Sequence, residues 1–171
     1  MTIKRFCFLI LGFSMVLATS AQVVIKNSLS ALKPGSKIGY VLDFSEAVIM
    51  GMDEDAFSKY EKDWLKDKPV VESKFLNGIN DKLDGILVIT PSKDVDYFLK
   101  ISIKTVSTKG HIICDAVVID KDGNSYFAAE QVNGGKEPPI SPGSKLAKIK
   151  VWAMLTGRSL GGIIRSEYLS Q

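Results

Sequence analysis

The stretch Tyr97-Phe98-Leu99-Lys100-Ile101-Ser102-Ile103-Lys104-Thr105-Val106 decides the fold. Tyr97, Leu99, Ile101 and Ile103 recur at every second position, with Lys100, Ser102 and Lys104 between them. A period of two is that of a strand, because successive side chains point to opposite faces. One face is apolar and the other charged or hydroxylic. Such a strand has a core on one side and water on the other. Downstream, Lys109-Gly110 turns the chain, His111 to Asp120 reads as the next strand, Lys121-Asp122-Gly123-Asn124 turns it again, and Ser125 to Val132 completes a meander.

Upstream of this block, Val23 to Lys33 is a lead-in closed by Pro34-Gly35. Ile38, Tyr40, Leu42 and Phe44 alternate with Gly39, Val41 and Asp43, which predicts a strand over 37–45. Asp53 suits a helix cap, and Glu54 and Asp55 suit a first turn. Phe57, Tyr60 and Trp64 then predict a first helix to Lys66. Asp67-Lys68-Pro69 restarts the chain as a second helix with the stripe Val71, Phe75, Ile79 and Leu83. Asp84-Gly85 ends it, and Ile86 to Thr90 reads as a short apolar strand before Pro91. At the other end, Asn133 to Gly143 is a loop rich in proline and glycine. Ser144 caps a last helix to Tyr168, striped by Leu146, Ile149, Ala153, Leu160 and Ile164. Gly157, Gly161 and Gly162 each cost that helix on the order of 1 kcal/mol relative to alanine, so something must offset them. Ala153, Gly157 and Gly161 share a face, which predicts a close approach to the sheet, with Cys114 and Ala116 as the surface met.

The order is β-α-α-β-β-β-β-α. The expected fold is α+β in two layers: one mixed, mostly antiparallel sheet of about five strands, with three helices mainly on one face. The two strands flanking the helical crossover are expected to be parallel, and the strands joined by short turns antiparallel.

The first residues read as an address. Lys4 and Arg5 form a charged head, Phe6 to Ala18 is apolar, and Thr19-Ser20-Ala21 offers small residues to a signal peptidase. These are the parts of a secretory signal. Residues 1–21 are therefore expected to be cleaved after Ala21, leaving 22–171 as one globular domain in the periplasm or secreted. The apolar run is short of the roughly 20 residues that span a bilayer, and Cys7 stands too early for a lipid anchor. No membrane segment is then expected in the mature chain. Cleavage lowers the formal charge from +3 to +1 by removing Lys4 and Arg5. Mixed acids and bases argue against a nucleic-acid partner. Cys114 is left without an internal disulfide partner and is expected to be buried.

The candidate chemistry is sparse. Asp120, Asp122 and Asn124 around Gly123 suggest a calcium loop, but the glycine comes fourth rather than sixth and Gln131 stands where a bidentate glutamate belongs. Asp-Gly between strands is a hairpin signal, and that reading is preferred. Ser30-x-x-Lys33 has the spacing of penicillin-recognising serine enzymes, without their other motifs. His111 is the only histidine; three positions from Cys114 on one strand, it points to the opposite face. One histidine and one cysteine do not make a zinc site. Neither Glu54 with Asp55 nor Asp94 with Asp96 reads as a hydrolytic pair. Gly157-x-x-x-Gly161 resembles a membrane helix-pairing motif, but Lys148, Lys150, Arg158 and Arg165 surround it. No catalytic residue, metal or cofactor is assigned. Gly134, Gly135 and Lys136, with Ser144 and Lys145 at a helix start, form a candidate anion or ligand site.

In element order the chain resembles small α/β envelope proteins of Gram-negative bacteria, the group of penicillin-binding-protein activators and related periplasmic lipoproteins. The strand Lys37–Phe44, the hairpin Tyr97–Asp120 with Asp122-Gly123, and the last helix with Gly157, Arg158 and Leu160-Gly161 carry the likeness. The lipobox cysteine of such lipoproteins is missing. The resemblance implies a non-enzymatic protein-interaction or assembly role with an envelope partner. The alternative is a small ligand-binding protein or hydrolase using the loop 133–143 and His111.

Overall fold

The structure is a computed structural model that describes residues 28–136 and 143–170. The expected signal, residues 1–21, and part of the loop 133–143 lie outside the described residues. After a 3-10 turn at Leu29–Ala31 come β1 (Ser36–Asp43), β2 (Val48–Ile49), α1 (Glu54–Tyr60), α2 (Trp64–Leu83) and β3 (Leu87–Thr90). They are followed by β4 (Tyr97–Val106), β5 (Ile112–Asp120), β6 (Ser125–Asn133) and α3 (Lys145–Leu169). The expected α+β fold is present as one mixed sheet of order β3-β1-β4-β5-β6, with β2 continuing the line of β1 along β4.

β4 is central, as its alternation requires. Leu99, Ile101 and Ile103 are buried under the helices while Lys100 is exposed on the other face. β1 and β3 are parallel, as expected of strands joined by a helical crossover. The β4-β5-β6 meander is antiparallel. β3 departs from the expectation. It lies beyond β1, so β3 and β4 are not antiparallel neighbours; both run parallel to β1. The short link 91–96 crosses the sheet at Gly39, where a Cβ would fall 2.7 Å from the Phe98 ring and 2.9 Å from Val95. Only a residue without a side chain lets the link pass so close.

Two further expectations are corrected. α1 stops at Tyr60, and Trp64 opens α2 rather than closing α1. Pro69 lies inside α2, not at its start. Trp64 is fully buried and fixes the helix start, with edge-to-face contacts to Phe44 and Phe57 at 5.6 and 5.2 Å. Its indole donates to Glu54 at 3.0 Å. The carbonyl that Pro69 leaves without its helical donor belongs to Leu65, an exposed residue of the first turn. Tyr60 is exposed, outside any inner stripe.

The glycines of α3 meet α2, not the sheet. A Cβ at Gly157 would sit inside the Phe75 carbonyl oxygen, one at Gly161 inside that of Ile79, and one at Gly78 inside that of Met154. Three glycines thus let two helix backbones interlock. Contacts advance together along both helices: Lys150 reaches Asp67 at 2.7 Å, Arg158 reaches Asp81 at 2.9 Å, and Arg165 reaches Asp84 at 3.4 Å. The helices are therefore parallel. Gly162, by contrast, faces open space.

This contrast gives a stability prediction. Gly157→Ala and Gly161→Ala gain helix propensity but lose the backbone fit, and are expected to destabilise by about 2 kcal/mol or more. Gly162→Ala is expected to stabilise by about 0.5–1 kcal/mol. Urea unfolding of the three variants checks the signs; equal effects at all three positions would contradict the interlock.

Candidate groove between β1 and α2

β3 ends at Thr90, opposite Gly39, where Pro91 turns the chain away. β1 continues through Tyr40, Val41, Leu42 and Asp43. Among the described residues, no strand pairs with this half of β1 on the β3 side. Burial records the change: Ile38 and Gly39 are buried, whereas Tyr40 and Leu42, on the same side as Ile38, are only half-buried. The space beside them is a groove of about 350 Å³ lined by Tyr40 and Leu42 of β1, Pro69, Glu72, Ser73 and Leu76 of α2, and Pro91. That volume is at the lower end of the range for ligand pockets.

Its walls are apolar and its polar groups few. The Tyr40 hydroxyl donates to the Glu72 carbonyl at 3.3 Å. Burial above all, then the fields of Glu72 and Cys114, push this phenol far above its usual range. Burial also raises the Glu72 carboxyl; Lys68 opposes the shift and Glu54 adds to it. Lys68 is engaged elsewhere, 2.7 Å from Glu54 and 5.0 Å above the Phe44 ring. Glu72 has no ion-pair partner among the described residues.

The residues singled out in the sequence lie elsewhere. Ser144 caps α3, its hydroxyl accepting the Ala147 amide at 3.2 Å. The Lys145 ammonium is held against the Tyr60 hydroxyl and lies 4.2 Å from the ring centre. Gly134 packs against Trp152, which is about 10 Å further along α3 than Lys145. The Gly135 amide donates to the Asn133 side chain at 3.0 Å, and Lys136 is exposed. Residues 137–142, between these two groups, lie outside the described residues.

The His111 ring lies against Trp152, tilted by 43° with ring centres 3.6 Å apart. Its Nε2, the Trp152 Nε1 and the Thr156 hydroxyl are buried without hydrogen-bond partners. Cys114 is fully buried, as expected, and burial, reinforced by Asp115, pushes its thiol up to about 12. The hairpin reading of Asp120 holds. Its carboxylate accepts the amides of Asp122 and Asn124, the Asn124 side chain and the Tyr126 hydroxyl, at 2.9 to 3.1 Å. Bonds from Asn124, then Tyr126 and Asp122, hold this carboxyl below its usual range. Of the other acids, Asp53 caps α1, Glu54 serves Trp64 and Lys68, and Asp96 pairs with Lys121 at 2.8 Å.

No family model matches the chain, nor does any curated protein. Among solved structures, the chain is similar to a dodecamer of a PelC point variant from Paraburkholderia phytofirmans, with 14% identity over 82% of this chain and 98% of that one, at a TM-score of 0.42. It is also similar to protein XCC0632 from Xanthomonas campestris, of the DUF330 family, with 10% identity over 86% and 97% of the two chains, at a TM-score of 0.36. No described helix is long and apolar enough to cross a membrane.

Two measurements probe this chemistry. Because the folded Glu72 pKa lies above the unfolded one, the folded state binds the proton more tightly. Stability is then highest below the ordinary carboxylate value and falls as pH rises into the raised range. Glu72→Gln is expected to flatten that decline and to be at least as stable as the parent at neutral pH, as read by melting temperature against pH. The Cys114 thiol is expected to resist a thiol-reactive probe in the folded protein at pH 7 and to react on unfolding. Fast native labelling would refute its burial.

Proposed function

We propose that the chain is exported and acts as a non-enzymatic interaction module of the bacterial envelope, holding a partner in the groove between β1 and α2. The observation that carries this reading is the half-burial of Tyr40 and Leu42. Core-facing side chains are left uncovered there, beside a strand edge with no neighbour among the described residues. The engaged side chains support a binding role over catalysis. The thiol is buried and raised, the imidazole is packed against Trp152, and Asp120 is saturated by its own hairpin. The order of charged head, apolar middle and small residues in 1–21 supports export and processing after Ala21. The element order supports the likeness to penicillin-binding-protein activators and related periplasmic lipoproteins, and with it an assembly role.

Two tests follow. The mature protein recovered from an envelope or secreted fraction is expected to begin at Gln22 by mass; retention of Met1 in the cytoplasm would overturn the export reading. A photo-crosslinking amino acid at Ser73, in the groove, is expected to give a discrete adduct in living cells. The same group at Asn124, on the hairpin tip, is expected to give none. Adducts from Asn124 alone would move the binding surface elsewhere.

A further inference from the structure

We infer that the groove takes an extended peptide segment, which adds as a strand to the free edge of β1 beside Tyr40–Asp43 and sets a lysine or arginine side chain against Glu72. The inference rests on the groove being the binding surface. It goes further by naming the chemistry of the occupant.

The backbone sets the first requirement. Every strand residue carries a donor and an acceptor that need partners. β3 meets that need only as far as Gly39, opposite Thr90. The outer edge of β3 is managed differently. The Asn80 side chain donates to the Ile89 carbonyl and accepts from the Ile89 amide, both at 2.8 Å, standing in for a neighbouring strand. At Ile89 that edge is capped against pairing. The β1 edge beyond Gly39 has no such cap among the described residues, although it lies beside an apolar wall of Leu42, Leu76 and Pro69. An extended main chain satisfies an open edge, and its alternate side chains fill the adjoining groove. A compact apolar ligand would fill the volume and leave the edge unpaired.

Charge sets the second requirement. The lining holds one carboxylate, Glu72, and no lysine, arginine or histidine. The Tyr40 hydroxyl already donates its hydrogen bond to the Glu72 carbonyl and presents its oxygen as an acceptor. Lys68, one turn away, is committed to Glu54 and Phe44. The groove therefore offers acceptors and negative charge in a partly desolvated place, where a cationic donor gains most. An acidic segment would meet repulsion from Glu72.

The test is selection of a random heptapeptide library on the purified protein, followed by binding measurements on selected peptides. Selected sequences are expected to share a lysine or arginine flanked by β-branched residues and to shift the backbone amide signals of Tyr40–Asp43. Glu72→Gln is expected to weaken them by about tenfold. N-methylation of alternate peptide amides is expected to abolish binding, and Ser73→Trp, at an exposed helix position, to block it while the fold persists. Peptides blocked by Ser73→Trp but indifferent to both Glu72→Gln and N-methylation would overturn the strand and charge assignment while leaving the groove as a binding surface. A library with no binder sensitive to Ser73→Trp would overturn both.

Discussion

The interlock of α2 and α3 through Gly78, Gly157 and Gly161 is the contact on which the remaining architecture depends. Each glycine admits a carbonyl of the other helix where any side chain would exclude it. The two helices therefore behave as one rigid layer laid across the sheet. Their parallel direction brings like dipole ends together, which by itself is unfavourable. The charges at the ends offset this. Asp67 lies in the first turn of α2 and meets Lys150, while Arg165 reaches the Lys82 carbonyl and Asp84 at the C-terminus of α2. The exposed Arg165–Asp84 pair contributes little by itself, and the Lys150–Asp67 pair is only half-buried. Their value here is in registering two helices already held by backbone contact.

A rigid helical layer has a consequence for the sheet beneath it. The first half of α2 lies over the second half of β1, where Trp64 meets Phe44 and Glu72 meets Tyr40, but β3 covers only the first half of that strand's outer side. A loosely packed helix would settle onto Tyr40 and Leu42 and close the gap. α2 is held by α3 and by the buried Trp64 at its start, between Phe44 and Phe57, and so stays in place. The groove is what remains when a short strand stops under a helix that cannot collapse. Its exposure thus follows from packing far from its own walls.

This origin explains what the sequence reveals and what it hides. The β4-β5-β6 meander was legible because its alternation is long and its turns carry Gly110 and Gly123, both at positive φ. The last helix was legible from Ser144 and its apolar stripe. β2 was not, since two residues carry no period. The break between α1 and α2 was misplaced because Pro69 looks like a restart, although it lies inside α2; the decisive residue was Trp64, whose burial is a tertiary fact. The spacing of Gly157 and Gly161 announced a close approach without naming the surface, and α2 rather than the sheet proved to be that surface. The groove had one faint signal: the alternating run Ile38–Phe44 is longer than Ile86–Thr90, so a parallel pairing of the two had to leave an end uncovered. No motif marks Tyr40, Glu72 or Ser73, because their association comes from that mismatch in length.

The same mismatch bears on why binding is the better account of this surface than chemistry. Catalysis needs reactive groups held in a fixed mutual geometry and tuned toward the working pH. Here the tuning runs the other way. Burial drives the Tyr40 phenol and the Cys114 thiol away from ionisation, and Tyr40 is turned to a backbone carbonyl rather than to a base. What the groove does offer is an unfilled place in a β-ladder, a small apolar wall and one carboxylate without a counter-ion among the described residues. In the proposed reading these are recognition elements: the ladder position would favour extended main chain over other shapes, and the carboxylate a cationic side chain over an acidic one. Under the proposed reading, such a surface selects its partner by conformation and charge.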